Sequence, residues 1–320
     1  MTTEARGEIF DLGYQHYDGP REGRARVVRS LWVNGFRTAL GLGRGAKAKI
    51  LPLLMFFFVT APAAIIVLIA SIVGPEAEIP SHAEYYQVVS ILLLLFSAII
   101  APELLIPDRR DGVISLYLVR PLTATDYIVS RWSAFFVITL ILAYAGQILL
   151  LLGFVLAAEA PVDYLRDNWL DVPRFLASGA VVALFVTTIP MAISSFTVRR
   201  AYAAAVVIAI FVITAPMAGI LTSCEQRNET FVETPGGQRL VVSSNECEPL
   251  TGEWAKWFAL VDVGRAPQHI SDIIFNEENN DDDVSRLVGD LNTAIPVVWY
   301  LLLVLGPGAA LYLRYRRMTI

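Results

Sequence analysis

LPLLMFFFVTAPAAIIVLIASIV, residues 51–73, runs for 23 residues without a charge. A helix rises about 1.5 Å per residue, so about 20 apolar residues cross the hydrocarbon core of a bilayer. The run therefore predicts a transmembrane helix. Five further windows meet the same test: Val88–Pro107, Ser133–Ala157, Phe175–Phe196, Ala201–Thr222 and Asn292–Leu313. Only one charged residue, Glu103, falls inside any of the six. The runs are continuous, whereas strands of a membrane barrel would alternate over about ten residues. Pro62, Pro102, Pro190, Pro216, Pro296 and Pro307 lie within spans and predict kinks, because neighbouring helices re-satisfy the backbone groups they free. The remaining composition agrees. The chain has 320 residues, 55% hydrophobic and 17% charged, and a mean hydropathy of +0.56. A soluble fold of that size could not hide so much apolar side chain. A pI of 5.3 argues against nucleic acid, and two Cys are too few for a disulfide scaffold. The expected fold class is an all-α integral membrane protein with six transmembrane helices.

Lys and Arg set the orientation, because cytoplasmic loops carry the excess. Residues 1–50, the loop after the second span, the tight loop after the fourth and the C-terminus together hold eighteen of the 25. Acidic residues divide the other way, nine against 21. The net charge of −5 thus separates into about +9 on one side and −14 on the other. Both termini are expected in the cytoplasm. The largely polar residues 1–50 do not read as a signal peptide, since the first span is too long for an h-region. The chain divides into a cytoplasmic segment 1–50, spans one to five over 51–222 with a cytoplasmic loop 108–132, an extracellular loop 223–291, and the sixth span with a basic tail, 292–320. Cys224 and Cys247 both fall in the extracellular loop, an oxidising setting, and are expected to form a disulfide. It would close a 24-residue loop and contribute about 3 kcal/mol.

Arg24–Leu40 has apolar residues Val28, Leu31, Trp32, Phe36 and Leu40 at helical spacing, with Arg26, Arg29 and Arg37 between them. That pattern predicts an amphipathic helix in the membrane interface. Gly41 to Lys47 is not a phosphate loop: no Lys follows Gly directly and no Ser or Thr follows Lys47. In loop 108–132, Asp111 can cap a short helix with apolar Val113, Ile114, Leu116, Tyr117 and Leu118, ended by Pro121. Thr123 and Asp126 form a capping signal for the helix entering the third span. The short helix is either a docking element for a partner or a plain connection against the headgroups. The loop 223–291 is too long for a mere connection. It contains a turn signal, Pro235-Gly-Gly237, a short apolar face of Trp254, Trp257, Phe258 and Val261, a second apolar piece at Ile270–Phe275, and an acidic run from Asn276 to Asp283. That run lacks the Gly and Glu of an EF-hand loop and reads as solvated.

Chemistry is sparse. His16, His82 and His269 lie in separate loops, so no metal cluster is visible, and no hydrolase motif occurs. No catalytic, cofactor-binding or metal-ligating residue is expected. Glu103 sits about 6 Å from the cytoplasmic end of its span and is expected to snorkel or to pair with Arg109 or Arg110. Gln147, Tyr144, Thr187 and Thr188 are polar groups at mid-span, either helix–helix hydrogen bonds or contacts along a translocation path.

Asp108-Arg-Arg-Asp111, Gly112, Leu116, Arg120-Pro-Leu122, Tyr127 and Arg131 resemble the loop between spans two and three in the membrane permeases of type-2 ABC exporters. That loop carries a charged pair, a Gly, a short apolar helix, then Pro and a basic residue. The final basic residue is more often Lys there, so Arg131 is a departure. Ile9 to Tyr14 and Tyr17 to Arg21 are similar to the N-terminus of some bacterial members, and the six-span layout covers most of the chain. The resemblance implies an exporter-like fold with a second permease copy or a paralogous permease, and two ATPase subunits beneath. It implies that Asp108, Arg109, Arg110, Asp111, Gly112, Leu116, Arg120 and Pro121 couple to the ATPase, and that Arg29, Trp32, Phe36 and Arg37 belong to an elbow helix. ATP and Mg²⁺ would bind the partner, with no cofactor on this chain. The implied function is export of a hydrophobic or lipid-like compound across a bacterial plasma membrane. A lipid-modifying membrane enzyme, or an anchor or sensor working through loop 223–291, are the alternatives.

Overall fold

The computed structural model describes residues 23–43, 45–73, 80–118, 122–158, 160–225, 230–233, 239–242, 248–249, 251–277 and 283–317. Among these, six helices are long and apolar enough to cross a bilayer. An initial helix, α1 (Arg24–Ala39), precedes the first span, α2 (Ala46–Val73). The second span, α3 (His82–Arg110), leads through a short α4 (Val113–Leu118) into the third, α5 (Ala124–Ala157). A short α6 (Pro161–Asp167) precedes the fourth span, α7 (Asp171–Phe196), and α8 (Arg200–Thr222) is the fifth. The 69 residues that follow are not a bare connection. They hold two antiparallel strand pairs, β1 (Cys224–Glu225) with β4 (Glu248–Pro249) and β2 (Thr230–Glu233) with β3 (Arg239–Val242), then α9 (Ala255–Ala259), α10 (Ala266–Phe275) and α11 (Asp283–Gly289). The sixth span, α12 (Ala294–Arg316), ends the chain.

Helix ends extend beyond the apolar windows because they are capped. Thr123 accepts from the Asp126 amide at 3.2 Å and Asp126 accepts from the Thr123 amide at 2.9 Å, the predicted capping box at the start of α5. Ser81 and Glu84 make the same box at the start of α3, which therefore begins six residues before its apolar window. Ser-x-x-Glu was the missed signal there and adds about a turn and a half of helix. The in-span prolines sit inside continuous helices, except Pro296, which lies in the first turn of α12 where its missing amide costs no hydrogen bond.

Burial ranks the spans. The apolar windows of α3 and α7 are each 67% buried, that of α5 44%, and those of α2, α8 and α12 about a fifth. So α3, α5 and α7 form the centre. The others present apolar faces outward (Phe57, Ile72, Val212 and Leu305 among them), where lipid or another membrane chain would meet them. Aliphatic packing alone gives little specificity against lipid, so polar groups and close backbone approach carry the register. Tyr85 on α3 donates to the Val59 carbonyl of α2 and Tyr86 to the Phe175 carbonyl of α7, both at 2.8 Å. Tyr300 on α12 donates to the Val181 carbonyl at 2.8 Å. Gly146 on α5 lies where a Cβ would overlap the Tyr85 hydroxyl.

The amphipathic helix keeps its predicted face, with Val28, Trp32, Phe36 and Leu40 half-buried and Arg26, Arg29 and Arg37 exposed. Leu31, Gly35 and Ala39 are its buried stripe, against α5. Small residues win that position because a Cβ on Gly35 would already lie 3.2 Å from the Ala134 Cβ. The bulkier Trp32 and Phe36 stack on each other at 5.6 Å along its flank, half-buried. Ala255 and Ala259 of α9 face inward while Trp254 and Trp257 are exposed, the placement that suits indoles at a membrane interface. The helix α6 had no counterpart in the sequence reading. The turn at 235–237 falls between paired β2 and β3 but lies outside the described residues, as do most of the acidic run and the side chains of Cys224 and Cys247.

His269 on α10 is buried against the bundle, its Nε2 without a hydrogen-bond partner. Burial, with Arg265 adding to it, pushes the imidazole pKa down to about 4 from the usual 6.5. Between those values the unfolded chain binds the proton and the folded chain does not, so stability rises with pH across the window. The thermal midpoint in detergent is expected to fall as pH drops from 6.5 towards 4, and His269→Gln is expected to flatten that slope. An unchanged slope would show that the ring is not buried as described.

Candidate functional site

The basic residues of the chain's two tight turns converge at one end of the bundle, where α3 turns into α4. Asp111 caps α3, its amide donating to the Pro107 carbonyl at 2.9 Å. Gly112 follows at φ +68°, the left-handed conformation that a Cβ disfavours, and lets α4 leave at once. Asp108, one turn back, accepts from the Tyr127 hydroxyl at 2.8 Å and from Arg131 Nη2 at 2.6 Å, both on α5. The Arg131 side chain is 3% exposed, and its Nη1 donates to Asn34 on α1 at 3.0 Å. One guanidinium thus joins α1, α3 and α5. Charge-assisted bonds of this kind are short and roughly twice as strong as neutral ones.

Arg109 does a different job. It reaches the open C-terminus of α7 and donates to the carbonyls of Ser194, Ser195 and Thr197, the last at 2.6 Å. Those carbonyls have no partner further along the helix, and a cation there also suits the helix dipole. Glu103 pairs with Arg200 at the start of α8. This corrects the expected pairing with Arg109 or Arg110: Arg109 is committed to α7, and Arg110 pairs with its neighbour Asp111 at 2.9 Å in the open. Arg24 on α1 grips Asp126 with two bonds, at 3.0 and 2.8 Å.

Aromatic rings tie the short helix in. Tyr117 on α4 lies 6.0 Å from Tyr127, and Tyr127 stacks on Tyr315 of α12 at 5.6 Å. The same contact puts the C-terminal end of α12 at the same end of the bundle as α1. The corner therefore has an outer part and an inner part. Arg110, Asp111 and Gly112 are exposed, and α4 stands half-exposed beyond them. Asp108, Arg109, Tyr127 and Arg131 are the inner part and touch, between them, α1, α3, α5, α7 and α12. Arg120, Pro121 and the Leu116 side chain lie outside the described residues. Arg29 and Arg37 of α1 are exposed.

The mid-span polar residues are all engaged between helices. Gln147 accepts from His82 Nδ1 at 2.5 Å and donates to the His82 carbonyl at 2.8 Å. Thr139 and Thr187 bond at 2.9 Å, Trp132 donates to Thr188 at 3.1 Å, and Tyr144 donates to the Leu176 carbonyl at 2.7 Å. None of Gln147, Tyr144, Thr187 or Thr188 lines a further cleft, which the sequence did not point to. That cleft, about 520 Å³, lies between α3 and α8, with Ile91, Leu95 and Val212 on its walls. Its polar lining includes Gln87, Asp262 and Arg265. Asp262 is buried and pairs with Arg265 at 3.1 Å. Burial pushes its carboxyl up from the usual range, and Arg265 opposes that shift. The Asp-x-x-Arg spacing, one helical turn, was the available signal.

A six-span helical body with a polar corner locked at one end is that of a multi-pass membrane protein. The family model described as ABC-2 family transporter protein matches residues 2–319, and the chain belongs to that family. It is a membrane permease of the ABC-2 type. The comparison with curated proteins found no match.

Proposed function

We propose that the chain is the permease subunit of an ATP-driven exporter that moves a hydrophobic or lipid-like substrate out across a bacterial plasma membrane. Two ATPase subunits would bind from the cytoplasm, and a second copy or a paralogous permease would complete the path. The excess of Lys and Arg at the α3–α4 end supports assigning that end to the cytoplasm. The observation that carries the reading is the wiring of the corner. A partner pressing on α4 would act through Tyr117 on Tyr127, and through Asp108 and Arg109 on α5 and α7. Rigid helices joined by such contacts move as bodies. The α3–α8 cleft supports an amphipathic cargo, with apolar walls for a chain or ring system and Gln87, Asp262 and Arg265 for a polar head.

The test is co-purification in mild detergent followed by transport in vesicles. An ATPase subunit is expected to be retained. Tyr117→Ala is expected to keep that subunit while transport per ATP falls at least about fivefold, the low end of ordinary coupling energies. Loss of retention on placing Arg at Asp111 would locate the docking face at the exposed corner. No retained ATPase, or unchanged transport in both variants, overturns the reading.

A further inference from the structure

We infer that the groove between α1 and α5 holds one anionic phospholipid of the bilayer, its phosphate at Arg24 and Arg29 and an acyl chain along Trp32 and Val129. The groove is about 650 Å³ and is shallow, largely open to its surroundings. Its basic lining is Arg24 and Arg29. Its floor and wall are apolar: Val28, Trp32 and Val129, the last 53% exposed despite its hydrophobicity. Val129 lies four residues, about 6 Å, before the apolar window that starts at Ser133, which puts the groove at headgroup level.

Charge decides the headgroup. No acidic residue occurs in α1, and Arg29 makes no hydrogen bond or ion pair among the described residues. Among the described residues the carboxylate beside the groove is Asp126, which Arg24 holds through Nε and Nη2, leaving its Nη1 edge outside those two bonds. Two guanidinium groups beside an apolar groove match a phosphodiester with its chains. Arg presents a fork that fits phosphate, and Trp prefers this depth. A zwitterionic lipid would fill the groove equally well but would leave Arg29 uncompensated.

The experiment uses the full chain in phosphatidylcholine vesicles containing phosphatidylglycerol, with bromine on the acyl chains of either lipid in turn. Trp32 fluorescence quenching is read as the difference between the wild type and Trp32→Phe. Because both leaflets are labelled, insertion direction does not matter. Brominated phosphatidylglycerol is expected to quench Trp32 at lower mole fraction than brominated phosphatidylcholine. Arg29→Gln is expected to reduce that preference roughly fivefold, the worth of one basic residue at an anionic surface. Arg37→Gln, on the same helix but not lining the groove, is expected to leave it unchanged. Equal quenching by both lipids would overturn the proposal, and so would equal effects of Arg29→Gln and Arg37→Gln, which would mean diffuse surface attraction.

Discussion

Arg131→Met is expected to cost about 3–5 kcal/mol of stability, read as a large fall in the thermal midpoint of the purified chain in detergent. The side chain is 3% exposed and Asp108 16%, so removing the cation leaves a carboxylate with little water to replace it. The Tyr127 hydroxyl remains on Asp108 but carries no charge. Asn34 loses its donor as well. The account makes a sharper claim about the pair. Removing both charges, as Arg131→Met with Asp108→Leu, is expected to be less damaging than Arg131→Met alone, because no ion is then left buried. Arg24→Ala supplies the contrast. Its pair with Asp126 is bidentate, against the single bond of Arg131 to Asp108, but the Arg24 side chain is 57% exposed, so solvent screens it and little change is expected. If the double variant is as unstable as the single, the Asp108 charge is not what the guanidinium serves. If Arg24→Ala matches Arg131→Met, burial is not what separates them.

The spans were legible because crossing a bilayer imposes a composition, and the continuous run from Leu51 to Val73 meets it without any knowledge of neighbours. The Thr123–Asp126 cap was legible for the same reason: its partners are three residues apart. Tertiary pairings were not. Loop 108–132 was legible as a charged turn between two spans, yet nothing in the order of residues says that Arg109 closes α7 while Asp108 closes α5. That division depends on which helix end lies within reach of each side chain, and it also sent Glu103 to Arg200. Periodicity found the packed side of α1 but not the small residues Gly35 and Ala39 at its centre. Leu31, Gly35 and Ala39 face α5 since close approach there favours small side chains, and Trp32 takes the flank. The α3–α8 cleft joins residues more than a hundred positions apart, from Gln87 to Arg265, and only the fold assembles it.

Gly146→Ala carries the second large effect, and it tests how the bundle is held rather than what it holds. Gly146 is buried on α5, and an added Cβ would overlap the hydroxyl and ring of Tyr85, whose hydroxyl donates to the Val59 carbonyl of α2 at 2.8 Å. Tyr85 is 1% exposed and lies in the core, so it cannot swing into open space. Accommodating one methyl group must therefore displace α5 from α3 or break the bond to α2. Overpacking of this kind costs about 1–3 kcal/mol, and more where a backbone must shift. Tyr85→Ala alone is expected to be costly too, by about 3–5 kcal/mol, through the cavity it leaves and the lost bond. Together the two changes are expected to be less than additive, because the methyl group of the first enters the space opened by the second. Thermal midpoints of the two single variants and the double variant measure the coupling. Additive losses would mean that Gly146 and Tyr85 do not meet, and that small residues at this crossing serve helix flexibility instead of contact.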